Sequence, residues 1–551
     1  MSYVFGIDLG TTYSCISYID EYGKPVVLKN SDGDHTTPSV VMVESENNII
    51  VGTEAKRSIE VEPDKTVQFI KRKMGKENDS VVLNGITHHA PEVSAWILKK
   101  LVNDANEELK QTGVIKDGEE IKDVVITCPA YFGMNERQAT KMAGELAGLN
   151  VLNIINEPTA AAISYGVSGK DKNETVLVYD LGGGTFDITV MNIQGGNISV
   201  VCTGGDDQLG GKDWDECLMN YIMERYEEEN GEDLSEDPEA VAALYVDVET
   251  WKKALTSREK VNISVNGPAG RFREELTREK YEELTGDLLN RTKNLLDDVL
   301  AVASKQGYPI SKIDKVLLVG GSSKMPQVAA MIERDYHVVP TLADPDEAVA
   351  KGAAIYANNE KAYNDFVEGE AVKSGKTVEE IKEENLVTGE MDKKFALSTG
   401  GATSNALKIN ITNVLSRTYG IEVLSDDKNV IANMLMINDK LPATRTDTFY
   451  THVDNQRGAA IKLHESRSTD SHMEIEGRNP ITEIEMTFKQ GVPANTPIEM
   501  TMALDNSGIL HIIAEEQLYH SKLDTTFQLS NQMSDAEMNS AAIRMSSTNI
   551  E

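Results

Sequence analysis

The fold of the first part of this chain is decided by the stretch Leu177-Val178-Tyr179-Asp180-Leu181-Gly182-Gly183-Gly184-Thr185-Phe186-Asp187. It reads as an apolar strand, an Asp-Leu-Gly step, a glycine turn and the start of a second strand. The same order occurs near the N-terminus, in Phe5-Gly6-Ile7-Asp8-Leu9-Gly10-Thr11-Thr12-Tyr13-Ser14. Two such hairpins, far apart in the sequence, predict two similar lobes that face each other.

Both hairpins carry residues suited to phosphate binding. Glycine lets backbone N–H groups approach phosphate oxygens closely, because no side chain blocks the approach. Such donors are present in Gly182–Gly184 and Gly10–Thr12. The carboxylates of Asp8, Asp180 and Asp187 would repel phosphate unless a cation lies between them and the ligand. A single turn of this kind is more often a plain tight hairpin, but the repetition favours a phosphate site.

Around the hairpins, residues 1 to about 358 alternate short apolar strands with helical stretches. The predicted strands include Val124–Thr127, Val176–Tyr179 and Val316–Val319, and each runs into small residues. The ligand site is therefore expected at the carboxyl ends of the strands. This pattern predicts an α/β domain with lobes at about 1–170 and 171–358.

A third glycine turn follows a buried strand, in Val316-Leu317-Leu318-Val319-Gly320-Gly321-Ser322-Ser323-Lys324-Met325-Pro326. A strand, a Gly-Gly turn and a helix let the backbone approach a flat ligand or a phosphate. Close packing of helix on strand explains the same pattern equally well.

Two further candidates are Glu157 and Lys71. Glu157 precedes Pro158, which holds it extended and can open a helix, so its carboxylate can align a water molecule or a hydrated metal. The start of a helix is an even alternative. Lys71 lies in Ile70-Lys71-Arg72, and a lysine beside phosphates stabilises the charge of a leaving phosphoryl group. Most Lys-Arg pairs are only surface charge.

One motif is a decoy. Ser374-Gly375-Lys376-Thr377 resembles the end of a P-loop, but the preceding glycine, Gly369, is one residue too far away and no buried strand comes before it. We interpret it as linker. The sequence has no HExxH motif, Cys/His cluster or GxSxG elbow, so zinc and serine-hydrolase chemistry are unsupported.

The chain changes character after residue 358. Residues 359–408 are rich in acidic side chains and poor in apolar ones, which predicts a solvated linker with a helix over Thr377–Leu386. Ser398–Asn405 is small and polar, as in a flexible joint.

Strand-like alternation then begins. It is clear in Ile484–Phe488, and Asp505–Gly508 is a predicted turn between strands. Residues 409–530 are therefore expected to form an all-β domain. Residues 531–551 are expected to form a short helical tail that begins near Ser534.

Composition narrows the range of partners. The chain has 551 residues, with 40% hydrophobic and 26% charged side chains, which is typical of a globular protein of several domains. The net charge of −35 argues against nucleic acid and anionic membranes as partners, because both require clustered basic residues. A solvated acidic surface is the simplest interpretation.

Features of the chain that concern its compartment all indicate the cytoplasm. The N-terminus lacks the basic and apolar segments of a signal peptide, and no apolar run is long enough to span a membrane. The four cysteines, Cys15, Cys128, Cys202 and Cys217, form no CxxC pair, so buried reduced thiols are expected.

Taken together, the motifs resemble those of the DnaK-type 70-kDa heat-shock chaperone family. The motifs are Gly6–Ser14, Pro129-Ala130-Tyr131-Phe132, Asn156-Glu157-Pro158-Thr159-Ala160-Ala161-Ala162, Asp180–Asp187 and Leu318-Val319-Gly320-Gly321-Ser322. They span the first 358 residues in the family's order and are specific as a set. The β region is similar more loosely, through Asp454-Asn455-Gln456 and Asn506–His511. The resemblance implies an actin-like two-lobed ATPase domain followed by an all-β sandwich that binds peptides.

By resemblance, several residues have roles in binding and hydrolysing ATP. Lys71 looks like the lysine that orients the attacking water, with Glu157, Asp180, Thr185 and Asp8 as the other catalytic residues. Asp8, Asp180 and Asp187 look like the residues that hold Mg²⁺ through water, with accompanying K⁺. The resemblance assigns ATP or ADP to a larger set: Gly10, Thr11, Thr12, Tyr13, Gly182, Gly183, Gly184, Thr185, Gly210, Gly211, Glu249, Lys252, Lys253, Thr256, Gly320, Gly321, Ser322, Lys324 and Asp346.

The resemblance also implies partners. An extended, apolar segment of an unfolded polypeptide would bind in a groove of the β domain, whose aligned residues are Ile421, Val423, Leu424, Phe449, His452, Ala459 and Ile461. Ordinary core packing is an alternative for each of them. A J-domain co-chaperone, a nucleotide-exchange factor and a monomeric state are expected from the family, and slow ATP hydrolysis would time the conformational change.

Four departures from the family pattern stand out. Lys253 and Lys324 replace two arginines that sandwich the adenine, and lysine cannot stack its charge flat on a ring, which predicts weaker adenine binding. The usual leucine-rich linker reads Ile409–Leu415 here and follows an acidic insert, which predicts weak coupling between the domains. His452 and Ala459 occupy groove positions where the family usually has other residue types. The long helical lid is largely missing, which predicts fast peptide release.

Two alternatives stay open. The chain could be a regulatory or co-chaperone-like module that binds nucleotide without cycling on clients, as the altered linker and short tail suggest. It could also be a small-molecule kinase on the same actin-like fold, although the β domain and the Asn-Glu-Pro-Thr motif count against this.

Overall fold

The computed structural model describes residues 3–45, 47–76, 78–166, 173–194, 197–378, 380–381, 391, 394–395, 409–425, 428–475, 477–504, 510–527 and 535–551. Within these residues, no helix is both long and apolar enough to cross a membrane. The predicted joint at Ser398–Asn405 and the predicted turn at Asp505–Gly508 lie outside them.

The first lobe contains strands β1 to β11 and helices α1 to α4. The strands are β1 (Phe5–Asp8), β2 (Tyr13–Ile19), β3 (Pro25–Val27), β4 (Thr37–Pro38), β5 (Val40–Ser45), β6 (Asn48–Val51), β7 (Thr66–Gln68), β8 (Ser80–Leu83), β9 (Ile86–His89), β10 (Asp123–Cys128) and β11 (Asn150–Asn156). The helices are α1 (Thr53–Arg57), α2 (Ala90–Gln111), α3 (Met134–Leu146) and α4 (Glu157–Gly166), with single 3-10 turns at Ser58–Glu60, Pro63–Lys65 and Ile70–Lys73.

The second lobe contains β12 to β18 and α5 to α9. Its strands are β12 (Asn173–Leu181), β13 (Phe186–Gln194), β14 (Asn197–Asp206), β15 (Lys260–Gly267), β16 (Gly270–Thr277), β17 (Lys315–Val319) and β18 (Thr341–Leu342). Its helices are α5 (Gly211–Asn230), α6 (Pro238–Ser257), α7 (Arg278–Leu284), α8 (Gly286–Lys305) and α9 (Pro326–Tyr336), with 3-10 turns at Leu234–Glu236, Ile310–Lys312 and Gly321–Lys324.

The two lobes repeat one arrangement, as the matching hairpins predicted. In the first lobe β1 runs antiparallel to β2 and parallel to β10, and the sheet order is β11-β10-β1-β2-β3. In the second lobe β12 runs antiparallel to β13 and parallel to β17, in the order β18-β17-β12-β13-β14. The predicted pair of similar lobes is therefore present, and the turn of each central hairpin lies at the carboxyl end of a parallel strand.

A long helix, α10 (Ala348–Ser374), joins the two lobes. Small residues let it pack closely, since a Cβ atom on Gly352 would lie 1.7 Å from the carbonyl oxygen of Ala160 in α4. A Cβ on Gly6 in β1 would lie 2.0 Å from the backbone nitrogen of Ala354. The helix therefore contacts both α4 and the central strand of the first lobe.

Helix α10 crosses the predicted boundary at residue 358 and continues without a break to Ser374. Apolar side chains at helical spacing explain the continuation, and they form a small buried cluster of Tyr363, Val367, Ala371, Ile381 and Phe395. The start of the acidic insert is thus a packed helix and not a solvated linker. Gly375 ends α10 with φ of 70°, so the P-loop decoy is a helix C-cap.

The linker enters the second lobe. Strand β19 (Asn410–Thr412) pairs in parallel with Asn197–Ser199 of β14 and extends that sheet. Ile409, directly before it, is buried, and its N–H donates to Asn359 Oδ1 at 2.8 Å. The predicted start of the β domain at 409 therefore precedes a strand that belongs to the second lobe.

The remaining strands form a sandwich of two antiparallel sheets, as predicted. They are β20 (Thr418–Ser425), β21 (Lys428–Leu435), β22 (Ala443–Tyr450), β23 (Gln456–Ser466), β24 (His472–Glu474), β25 (Thr482–Val492), β26 (Pro497–Leu504), β27 (Leu510–Glu516) and β28 (Ser521–Phe527). The sheet orders are β24-β21-β20-β23-β25 and β22-β26-β27-β28. Alternating apolar residues of both sheets form one core between them.

The tail returns to the first lobe. Helix α11 (Asp535–Ser547) is followed by strand β29 (Asn549–Ile550), which pairs in parallel with β6. Ala541 and Met545 are buried in the core of the first lobe. A helix this short is marginal alone, and packing against the first lobe supplies the missing stability.

Candidate functional site

The two glycine hairpins meet between the lobes. A Cβ atom on Gly183 would lie 2.1 Å from Thr12 Oγ1, and one on Gly184 would lie 2.3 Å from Thr11 Cγ2. Any side chain at either glycine would separate the hairpins, which explains the run of glycines. The backbone N–H groups of both turns are therefore close enough to bind the same ligand.

Three carboxylates lie behind the turns. Asp180 and Asp187 stand opposite each other on β12 and β13, so their side chains share one face of the hairpin. Asp8 ends β1 and accepts a hydrogen bond from Thr127 Oγ1 at 3.3 Å. Asp180 and Asp187 are buried from solvent, and Asp8 is partly buried.

Burial dominates the electrostatics of these acids. It raises the pKa of Asp8 to about 7, with Glu157 adding to the rise and Lys71 opposing it. Burial, then Glu157, raises the pKa values of Asp180 and Asp187 well above the ordinary range. The site therefore holds more acidic side chains than the single cation of Lys71 can neutralise.

Lys71 and Glu157 form a buried pair beside Asp8, with Lys71 Nζ 2.5 Å from Glu157 Oε1. Burial alone would lower the pKa of Lys71, but the charges of Glu157 and Asp8 outweigh it and raise the pKa. Lys71 is therefore a cation in this site. The two residues come from a 3-10 turn and from the start of α4, which meet only in the folded chain.

These groups line a cavity of about 470 Å³ between the lobes. Most of the predicted ATP-site residues lie on its wall: Asp8, Gly10, Thr11, Thr12, Tyr13, Lys71, Glu157, Asp180, Gly182, Gly183, Thr185, Glu249, Lys252, Lys253, Thr256, Gly320, Gly321, Ser322, Lys324 and Asp346. The volume is in the range of cavities that hold a nucleotide-sized ligand.

Four predicted residues lie behind the wall and support it. Gly184 and Asp187 belong to the hairpin already described. Gly211 N–H donates to Gly182 O at 3.0 Å, and a Cβ on Gly210 would lie 2.5 Å from Gly184 N. The start of α5 therefore holds the glycine turn of the second lobe in place.

At one side of the cavity, Glu249 binds two lysines. It is 2.7 Å from Lys253 Nζ and also pairs with Lys56, and the Lys253 ammonium lies 4.7 Å from the centre of the Tyr13 ring. Burial would raise the pKa of Glu249, but Lys56 and Lys253 lower it to about 2. This cluster connects α1, α6 and the first hairpin across the opening between the lobes.

The third glycine turn closes the cavity from the second lobe. Gly320 has φ of 80°, and a Cβ there would lie 2.5 Å from Asp180 Oδ1 and from Leu181 O, so only glycine fits. Lys324 pairs with Asp346 at the edge of this turn. The turn thus approaches the second hairpin directly, and the interpretation of plain helix–strand packing does not account for its place on the cavity wall.

Several site residues were missed from the sequence. Arg72 donates to Gly184 O at 2.8 Å and to Asp213 Oδ2 at 2.9 Å, which connects the lobes beside the glycine turn. Asp215 accepts from Lys252 at 2.6 Å, and Lys56 and Tyr245 line the cavity. None of them belongs to a short motif, and no signal in a single sequence identifies them.

The residues fit a hydrated cation. Within the part of the chain that is described, no three His, Cys, Asp or Glu side chains converge enough to bind a metal by themselves. Asp187 Oδ1 is buried without a hydrogen-bond partner, and the surrounding acids are oxygen donors of the kind that Mg²⁺ prefers. A cation that keeps its water and also contacts phosphate needs no three converging protein ligands, and its water can donate to the unpartnered oxygen of Asp187.

The seven predicted groove residues all lie in the sandwich, but in different environments. Ile421 and Ile461 are buried in its core, and Val423, Phe449 and Ala459 pack against that core. Leu424 and His452 are exposed. The groove assignment stays a prediction, with Leu424 and His452 the residues most accessible to a peptide.

The chain is similar to known proteins over most of its length. The chain matches the family model described as Hsp70 protein over residues 4–367 and 396–549. It is also similar to the chaperone protein DnaK from two strains of Halobacterium salinarum. Each is 35% identical over 524 residues, which is 93% of this chain and 73% of the relative. The family match stops within the last turns of α10 and resumes at residue 396, so its gap lies inside the acidic insert.

Proposed function

The chain belongs to the Hsp70 family of ATP-dependent molecular chaperones, and we propose that its ATP site is the cavity between the two lobes. It is an ATPase of the actin-like fold with a β-sandwich domain. The observation that carries the assignment of the site is the Lys71–Glu157 pair at 2.5 Å, buried beside Asp8 where the two glycine hairpins meet.

In this proposal the backbone N–H groups of Gly10–Tyr13 and Gly182–Thr185 bind the phosphates. Asp8, Asp180 and Asp187 would hold Mg²⁺ through water, with K⁺ nearby, and the cations supply positive charge that offsets the phosphate oxygens. Their raised pKa values are those of acids buried without a cation, and a bound cation would favour the ionised form.

Lys71 and Glu157 then act on the attacking water. The Lys71 ammonium stabilises negative charge that develops as the γ-phosphoryl group leaves. Glu157 orients Lys71 and accepts a hydrogen bond from the water or from the hydrated cation. Thr185 ends the glycine turn on the cavity wall, where its hydroxyl can contact the same water. Positioning and charge, without a covalent intermediate, are sufficient for this class of reaction.

The β-sandwich is the proposed site for extended apolar segments of unfolded polypeptides. A J-domain co-chaperone and a nucleotide-exchange factor are proposed partners, and the chain is proposed to act as a monomer. The alternatives of a regulatory module and of a small-molecule kinase gain no support from the family to which the chain belongs.

Refolding of a chemically denatured enzyme tests the proposal. We expect the chain to raise the recovered activity only with ATP, and Lys71→Ala to abolish this gain. Lys24→Ala removes an exposed lysine on a distant turn and is the matched control. ATP-independent recovery that is equal in Lys71→Ala would contradict the proposal.

A further inference from the structure

The β-sandwich is docked on both lobes of the ATPase domain. The contacts are hydrogen bonds between backbone and side chain: Ser416 Oγ to Phe132 O at 3.0 Å, Thr203 N to Asn438 Oδ1 at 3.1 Å and Arg467 Nη1 to Gly205 O at 3.0 Å. In the sandwich these contacts come from the residues just before β20, from the loop between β21 and β22 and from the residue after β23, and in the ATPase domain they come from the segment after β10 and from β14.

Two glutamates from different domains meet in this interface. Glu136 lies in the first turn of α3, and Glu465 lies near the end of β23. A Cβ atom on Gly133 would lie 3.1 Å from Glu136 Oε2 and 2.9 Å from Glu465 Oε2, so these two oxygens are at most about 6 Å apart. Two like charges are thus brought together by docking.

The charged groups around the pair only partly compensate it. Arg417 Nε is 3.4 Å from Glu465 Oε1. Arg467 also faces Glu465, but its guanidinium donates to Gly205 O and lies over the Tyr131 ring.

The other neighbours do not add positive charge. Asp207 is a further acid near Glu136, and its charge is met by Lys76 at 3.1 Å. Tyr419, on β20, is neutral and hydrogen-bonds Glu465. Two interfacial glutamates therefore share mainly one arginine.

We propose that Glu136 and Glu465 share one proton when the domains are docked, and that loss of this proton drives the sandwich away from the ATPase domain. At this separation one neutral and one ionised carboxyl do not repel each other, whereas two ionised carboxylates in a buried interface do. Undocking returns both groups to water, where each ionises freely. Docking is therefore a proton-linked equilibrium, and it goes beyond the proposed ATPase cycle because it requires neither ATP nor peptide.

The direction of the pH dependence follows from the raised pKa values. Burial, then the charge of Glu465, raises the pKa of Glu136 from 4.5 to about 7, against the opposing effect of Arg417. Burial also raises the pKa of Glu465, again against Arg417. A group whose pKa is raised in the docked state favours docking fully below its ordinary pKa and loses that contribution as the pH rises towards 7. Over this interval the docking constant falls about tenfold per pH unit.

Small-angle X-ray scattering of the full chain without nucleotide, from pH 5.5 to 8.5, tests the proposal. We expect the radius of gyration to rise with pH in the wild type. Glu136→Gln and Glu465→Gln each replace one carboxyl by a neutral amide of the same size, which removes the repulsion between two carboxylates. Both variants should therefore stay compact at every pH. Glu145→Gln, on the same helix but half-exposed, is the matched control and should behave as wild type.

Two results would overturn the proposal. One is a radius of gyration in the wild type that does not change with pH. The other is an unchanged pH response in both glutamine variants. A far-UV circular dichroism spectrum that matches the wild type shows that each variant is folded. The scattering test does not depend on chaperone activity, so it would still decide the docking proposal if the proposed function failed.

Discussion

Arg544, near the end of the tail helix, donates two hydrogen bonds to Glu92 at the start of α2, from Nε to Oε1 at 2.7 Å and from Nη2 to Oε2 at 2.9 Å. Glu92 is fully buried. Burial would raise the pKa of Glu92, but the Arg544 guanidinium and the His88 ring, whose Nδ1 lies 3.2 Å from Glu92 Oε2, outweigh it and lower the pKa. A residue from the far end of the chain thus compensates a buried charge in the first lobe.

Arg544→Ala is expected to destabilise the first lobe. It leaves the Glu92 carboxylate buried and short of donors, which costs about 2 kcal/mol once the partial exposure of Arg544 is allowed for. Thermal unfolding followed by circular dichroism should show a transition lowered by several degrees. Because the pKa of Glu92 is lowered by folding, the difference should be present above its ordinary pKa of 4.5 and shrink as the pH falls below it.

Arg544→Lys is the matched variant for this prediction. Lysine keeps the charge but cannot form the two parallel hydrogen bonds, so its transition should lie between those of the wild type and Arg544→Ala. If Arg544→Ala unfolds at the wild-type temperature, the tail does not stabilise the lobe as described.

Peptide release should be fast. Helix α11 follows the sandwich, and its Ala541 and Met545 pack into the core of the first lobe. A groove that this helix does not cover should lose a bound peptide quickly. Displacement of a fluorescent peptide by excess unlabelled peptide, followed by anisotropy, measures the rate. Dissociation as slow as that of a lidded chaperone would contradict the prediction.

ATP binding should be weaker than in family members with two arginines at the base site. Here Lys253 is held by Glu249, and Lys324 by Asp346. Lys324→Arg is expected to tighten ATP binding by about 0.5–1 kcal/mol, because a guanidinium can stack on the base. Isothermal titration calorimetry gives the affinity, and Lys305→Arg on an exposed helix end is the control. Wild-type affinity as tight as that of ordinary relatives would count against this account.

Coupling between the peptide and ATP sites should be weak. Ile411 and its neighbours pair with β14 in place of the family's leucine-rich linker. The double variant Ile411→Leu and Thr412→Leu should increase the acceleration of ATP hydrolysis by peptide, measured at steady state. Strong acceleration in the wild type would show that this linker already couples the domains.

The sequence was most informative where the chemistry is local. The two hairpins could be located because strand, Asp-Leu-Gly and glycine turn are consecutive, and their internal repeat predicted the paired lobes. Residues that reach the site across the fold, such as Arg72 and Asp215, have no local signal because their partners are distant in the sequence. Their roles depend on packing that only the folded chain specifies.

The region after residue 358 was the least predictable. Its high charge suggested a solvated linker, yet Tyr363 and Val367 recur at helical spacing and pack into a small core. The pairing of β19 with β14 and the return of Arg544 to Glu92 both join segments far apart in the chain. Such contacts follow from topology, and no composition or periodicity within one segment indicates them.

The most direct test of the central claim is single-turnover hydrolysis of ATP by the wild type and by Lys71→Ala, each with and without an unfolded peptide. The account predicts hydrolysis in the wild type and its loss in Lys71→Ala, with ATP still bound, since Lys71 acts on the reacting groups and not on the base. Hydrolysis by Lys71→Ala at the wild-type rate would contradict the assignment of the site.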